Sequence, residues 1–148
     1  MEANINATAV ALDGRAILIT GDSGAGKSSL ALALMEQGAV LISDDVTHVK
    51  IQDGELLASP YERMKGCVEV WGTGIICGLR TARDVPVLVQ IKLTSSITER
   101  MPQESTYVEI LGRRVRQFRL YKESKVLATL VRTAVKIAAG DVFLLHDK

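Results

Sequence analysis

The chain has 148 residues, 47% hydrophobic and 24% charged, a length that suits one compact domain over 1–148. Eighteen basic against seventeen acidic side chains leave a formal charge of +1, and aromatic residues make up 4%. A general nucleic-acid binder is therefore not expected, because it needs surplus basic contacts and stacking rings. No apolar run approaches the about 20 residues of a membrane span, and the start lacks a basic, then apolar, secretory pattern. Cys67 and Cys77 are too few for a disulfide framework or a zinc site. These bounds describe a soluble, cytoplasmic domain with neither a nucleic-acid nor a membrane partner.

Residues 9–12 and 16–20 read as two short strands joined by Asp13-Gly14, a strong hairpin signal. A glycine-rich stretch, 21–26, follows. Residues 28–37 then read as a helix burying Leu30, Ala31, Ala33, Leu34 and Met35, with Gly38 ending it. Residues 40–42 form a buried strand closed by Ser43-Asp44-Asp45, and 46–51 another, with a turn at 52–55. Gly66, Gly72, Gly74 and Gly78 break the middle of the chain into loops. Residues 85–93 are β-branched enough for a central strand, and 112–122 read as an exposed, basic edge strand. Ser124 is placed to cap a last helix over 125–139, ended by Gly140. The expectation is an α/β domain with a mixed sheet.

The segment Gly21-Asp22-Ser23-Gly24-Ala25-Gly26-Lys27-Ser28 satisfies G-x-x-x-x-G-K-[ST], with a strand before it and a helix after it. Glycines let successive N–H groups converge on phosphate oxygens, and the helix N-terminus adds partial positive charge. Lys27 is expected to reach the β- and γ-phosphates and Ser28 to bind Mg²⁺. Phosphoryl transfer also needs a carboxylate at the metal and an oriented nucleophile. Asp44 and Asp45 supply two carboxylates that alternate along a strand and so face different ways. One suits Mg²⁺ or its water shell and the other the acceptor hydroxyl.

Four ordered segments resemble the catalytic domain of HPr kinase/phosphorylase. They are 19–28, Leu41-Ile42-Ser43-Asp44-Asp45, Val68-Glu69-Val70-Trp71-Gly72-Thr73-Gly74-Ile75-Ile76, and Glu99-Arg100 followed by Tyr107 to Gly112. The resemblance spans roughly Ile5 to Ala139. It implies a P-loop kinase fold akin to phosphoenolpyruvate carboxykinase, and transfer from ATP to a serine of the phosphocarrier protein HPr. It further implies Asp45 as catalytic base, Glu69 beside Ser28 at Mg²⁺ with Asp44 on the metal side, and Arg100 on the moving phosphoryl group. In the reverse reaction of the family, inorganic phosphate attacks phosphoserine and releases pyrophosphate. The resemblance also implies a homo-oligomer, often a hexamer.

Three positions depart from the family pattern. Asn6, placed in the strand leading to the loop, stands where the family has His, and an asparagine cannot exchange a proton near neutral pH. Trp71 stands where the family has Arg. Residues 121–125 replace an Arg-Pro-Gly-Arg-like loop, with Lys122 and Lys125 keeping charge without a bidentate fork. The expectation is kinase machinery with a compromised phosphorolytic direction. An ATP-binding sensor without turnover and a small-metabolite kinase stay open as alternatives. Only Met1 to Thr20 precede the loop, where many family members carry a further domain, so a catalytic core alone is expected.

Overall fold

The structure, a computed structural model, describes residues 1–96, 102 and 104–147. In chain order the strands are β1 (Glu2–Ile5), β2 (Thr8–Leu12) and β3 (Arg15–Thr20), followed by helix α1 (Lys27–Glu36). Then come β4 (Val40–Ser43), β5 (Thr47–Gln52), β6 (Glu55–Pro60), β7 (Val68–Val70), β8 (Gly74–Ile76) and β9 (Val85–Thr94). The chain closes with β10 (Thr106–Ile110), β11 (Arg113–Tyr121) and helix α2 (Leu127–Ala139). The result is an α/β fold on a mixed sheet, as the residue pattern predicts.

Alternation along the strands builds two apolar layers. On β2 and β3, Val10, Leu12, Ile17 and Ile19 point to the helices and pack with Leu30, Ala31, Leu34, Val131 and Ala134. Ala9, Ala11, Ala16 and Leu18 point the other way, against Ile42, Val49, Leu56 and Ala58. A strand buried on both faces needs no polar alternation, so these runs read as continuously apolar. The sheet runs in the order β1-β5-β6-β9-β3-β2-β4, and β4 also packs against β6, so the sheet curls over its second layer.

Long β9 organises the sheet. It runs parallel to β3 and to β11, and its first residues pair antiparallel with β6. Strand β11 is therefore interior, between β9 and β10, and not the edge strand its basic residues suggest. Its charges are accommodated at the rim. Arg114 stacks over the Tyr107 ring with its guanidinium carbon 3.7 Å from the centroid. Arg116 lies 4.8 Å from the Phe118 centroid and pairs with Asp147 at 3.3 Å.

Among the described residues, three two-residue turns join antiparallel neighbours, each with both central residues at positive φ. They are Asp13-Gly14, Asp53-Gly54 and Leu111-Gly112. The first two use residue types suited to that conformation. Leu111 does not, and its packing against the second core layer accompanies the strain. Strands β1, β6, β7, β8 and β10 are additions to the sequence-based expectation. α1 ends as predicted: Gly38 N–H bonds Met35 O and Ala39 N–H bonds Leu34 O, satisfying two terminal carbonyls. The start of α2 differs. Ser124 makes no side-chain cap, its hydroxyl accepting instead from the Val126 N–H at 3.3 Å.

Cysteine count alone gives no bond, yet Cys67 and Cys77 are joined as a disulfide. The reason is register. Val68 pairs with Ile76 in the β7–β8 hairpin, so the next opposed position brings the two cysteines face to face.

Candidate active site

β3 delivers the chain to Gly21 beside the end of β9. A Cβ at Gly21, whose φ is +149°, would lie 3.0 Å from the Leu93 carbonyl oxygen and 3.2 Å from the Ala25 Cβ. Only glycine allows this approach. Gly24 and Gly26 sit at φ +79° and +95°, so the loop curls before α1 begins at Lys27. Gly26 offers no side-chain cap, and the first turn of α1 holds no acidic residue. Its leading N–H groups and partial positive charge thus face the loop with no acidic side chain of the helix's own first turn among them. Lys27 folds back over the loop, its Nζ donating to the Gly21 carbonyl at 2.8 Å and the Asp22 carbonyl at 3.4 Å.

The two aspartates part company at the end of β4. Asp44 is buried and turns toward the loop. Its Oδ1 accepts from Ser28 Oγ at 2.7 Å and from Thr8 Oγ1 at 3.0 Å, and its Oδ2 accepts from the Glu69 N–H at 3.1 Å. Asp45 is exposed at φ 67°, the centre of a tight turn closed by the Val46 N–H on the Asp44 carbonyl at 2.7 Å. A three-residue turn around a positive φ is the rarer, strained γ form. Its holder is Thr8, whose hydroxyl accepts the Asp45 N–H at 3.0 Å while donating to Asp44.

Thr8 is the residue that sequence reasoning missed. It is completely buried, and the only signal was a hydroxyl in an otherwise apolar strand. Glu69 comes to the site through its backbone, with its side chain exposed. Asn6 lies in the bend between β1 and β2 and not in a strand. Ile5 pairs with Thr47 and Ala9 with Ser43, so residues 6–8 run opposite 44–46, with Asn6 itself exposed. Arg100 lies outside the described residues.

Ser28, Asp44 and Glu69 are the expected Mg²⁺ residues. Hydroxyl and carboxylate are the hard oxygen donors that Mg²⁺ takes, with phosphates and waters completing its shell. The Ser28 proton is directed at Asp44, so the lone pairs of Ser28 Oγ stay available to a cation. The donor set therefore fits the ion. No three acidic, histidine or cysteine side chains converge on one point among the described residues.

Two further features flank the loop. Trp71, 79% exposed on the β7–β8 hairpin, reaches within 3.9 Å of a Cβ built on Gly24. A hollow of about 270 Å³ is lined by Gly26, Ser29, Lys122, Ser124 and Lys125, so the lysines of the 121–125 loop open onto the start of α1.

The family model "HPr Serine kinase C-terminal domain" matches residues 1–140. The chain belongs to this family. The HPr kinase/phosphorylase of Clostridium perfringens is 28% identical over 144 residues, covering 90% of this chain and 47% of the relative. That of Clostridium beijerinckii is 30% identical over 145 residues, covering 90% of this chain and 48% of the relative. The chain thus spans about half the length of the curated relatives it matches. A solved structure described as the Hpr(Ser) kinase/phosphatase from Coxiella burnetii superposes with a TM-score of 0.83 at 26% identity, covering 94% of this chain and 92% of that one. The HPr kinase fold and its mixed sheet are thereby shown for this chain.

Proposed function

We propose that the chain is an ATP- and Mg²⁺-dependent protein serine kinase that phosphorylates HPr, with residues 1–148 as its catalytic unit. The observation that carries this reading is a hydrogen-bond chain, Ser28 to Asp44 to Thr8 to the Asp45 backbone. It couples the phosphate loop to the exposed carboxylate of Asp45.

In this reading the N–H groups of 22–28, apart from that of Ala25, which bonds the Asp22 carbonyl, bind the β- and γ-phosphates together with the Lys27 ammonium. Mg²⁺, when bound, neutralises phosphate charge, and Ser28, Asp44 and Glu69 are the residues that hold it or its waters. Asp44 does so partly through Ser28, fixing where that hydroxyl proton points. Asp45 accepts the serine proton as the serine oxygen attacks the γ-phosphorus and the bond to the β-phosphate oxygen breaks. A base placed in this way contributes about 10²–10⁴-fold. Arg100 is assigned to the transferring phosphoryl group from the family pattern. The strained φ of Asp45 fits such a role, since strain collects where a side chain must be aimed.

The same carboxyl would return its proton to serine in phosphorolysis, where phosphate enters and pyrophosphate leaves. Asn6, which stands where the family pattern has His, cannot exchange a proton, so the reverse direction is the weaker one. A homo-oligomer and a cytoplasmic location complete the reading. No described helix is long and apolar enough to cross a membrane.

Incubation with HPr, Mg²⁺ and labelled ATP tests the assignment. Label on an HPr serine is the expected outcome, and no transfer while ATP stays bound overturns it. Trp71 against the loop, where the family has a cation, favours one second reading, a nucleotide-binding sensor without turnover. Partner binding that depends on ATP, without consumption of it, selects the sensor. Label on a small hydroxylated compound, with HPr absent, selects a metabolite kinase.

A further inference from the structure

The β7–β8 hairpin is a two-stranded sheet of its own, separate from the main sheet. Each strand has three residues, and β8 is exposed throughout. Two short strands are marginal without help. Buried Val68 anchors one strand, and the Glu69 N–H reaches Asp44. The Leu79 N–H on the Gly66 carbonyl, at 3.1 Å, closes the base. Across that base sits the Cys67–Cys77 disulfide. Gly66 leaves no slack there, because a Cβ on it would come within 2.8 Å of the Leu79 carbonyl.

What this hairpin carries is the reason the bond matters. Its first strand brings the Glu69 backbone to Asp44, which holds Ser28, and its tip brings Trp71 to Gly24. Cys77 is exposed, so a thiolate can reach it, and both cysteines lie outside the loop and its carboxylates. Disulfides in reducing compartments are typically transient and serve redox sensing.

We propose that Cys67 and Cys77 form a redox modification site, a thiol–disulfide clamp that sets how firmly the β7–β8 hairpin is held against the phosphate loop. The co-reactant is a dithiol. One of its thiolates attacks a sulfur of the Cys67–Cys77 bond and forms a mixed disulfide, releasing one cysteine as a thiolate that takes a proton. The second thiol of the reductant then attacks the mixed disulfide, freeing the other cysteine. Two electrons pass to the protein, which ends with two thiols, and the reductant ends as a cyclic disulfide. With the clamp open, the hairpin keeps the packing of Val68, the approach of Trp71 to Gly24 and its backbone bonds.

The full chain, free of nucleotide, is compared before and after dithiothreitol by hydrogen exchange over 68–76. The Glu69 amide is expected to exchange about tenfold faster in the reduced protein. Cys67→Ser/Cys77→Ser is expected to exchange at the reduced rate and to ignore dithiothreitol, its circular dichroism confirming that it folds. Equal exchange in oxidised and reduced wild type overturns the clamp, as does a response of the double variant to dithiothreitol. The consequence for ATP rests on the kinase reading, with affinity expected to fall about tenfold on reduction. Failure to bind ATP in either state would count against that reading, while the nucleotide-free exchange rates still decide the clamp.

Discussion

Ser28 Oγ donates to Asp44 Oδ1 across 2.7 Å, tying the first turn of α1 to the end of β4 through one buried carboxylate. The same oxygen accepts from Thr8, and its partner oxygen from the Glu69 N–H. Three donors meet one acceptor-only group, which an amide of the same shape cannot serve. In Asp44→Asn, the NH₂ must face at least one of these donors. The expected cost is about 1–3 kcal/mol of unfolding free energy, measured by urea titration. Phosphoryl transfer should fall with it, because Ser28 loses its fixed orientation.

Asp45→Asn isolates the chemistry from the scaffold. Asparagine tolerates positive φ about as well as aspartate, and the side chain is exposed, so stability should stay within about 0.5 kcal/mol. Turnover on HPr is expected to drop about 10²–10⁴-fold with ATP affinity retained. Steady-state kinetics beside an ATP titration measure both. A variant that keeps full turnover removes Asp45 from the role of base.

Gly21→Ala should disable the loop by sterics. The added methyl meets the Leu93 carbonyl oxygen at 3.0 Å and Ala25 at 3.2 Å, at a φ that side chains rarely adopt. Backbone must shift to relieve it, at about 1–3 kcal/mol. The shift displaces the N–H groups that face phosphate. Loss of ATP binding by calorimetry, with a folded far-ultraviolet spectrum, is the expected pair of results.

Asp84 gives the molecule one of its acid-sensitive contacts. The hydrogen bond it accepts from Lys50, then that from Ser59, hold its carboxyl below the ordinary carboxylate range. Folding therefore favours the ionised form. The contribution is present at neutral pH and is lost as pH falls through the folded-state value. Asp84→Asn removes that group while keeping a residue suited to its φ of 55°. Thermal midpoints taken from about pH 7 to about pH 2 should decline less steeply in the variant than in wild type. Parallel curves would exclude Asp84 from the acid response.

Local chemistry was legible in the residues. The phosphate loop, the Asp13-Gly14 turn, the helix stop at Gly38 and the buried runs of β2, β3 and β9 each depend on neighbours a few positions away. Steric rules for glycine, turn geometry and side-chain alternation are enough to read them. The β7–β8 hairpin was not legible in this way, because three-residue strands carry too little pattern. Strand β10 was hidden by a Leu-Gly turn that offers no usual signal.

Residues 41–45 show the boundary most clearly. Sequence alone established that two adjacent aspartates follow a phosphate loop and that alternation forces them apart. Which one turns inward was decided by Thr8, a residue from another strand that donates to one aspartate and accepts from the backbone of the next. Placing β11 inside the sheet, pairing Cys67 with Cys77 and bringing Trp71 to Gly24 likewise depend on strand register. Register is a relation between distant segments, set by how two apolar layers close over one curled sheet, and no single window of residues contains it.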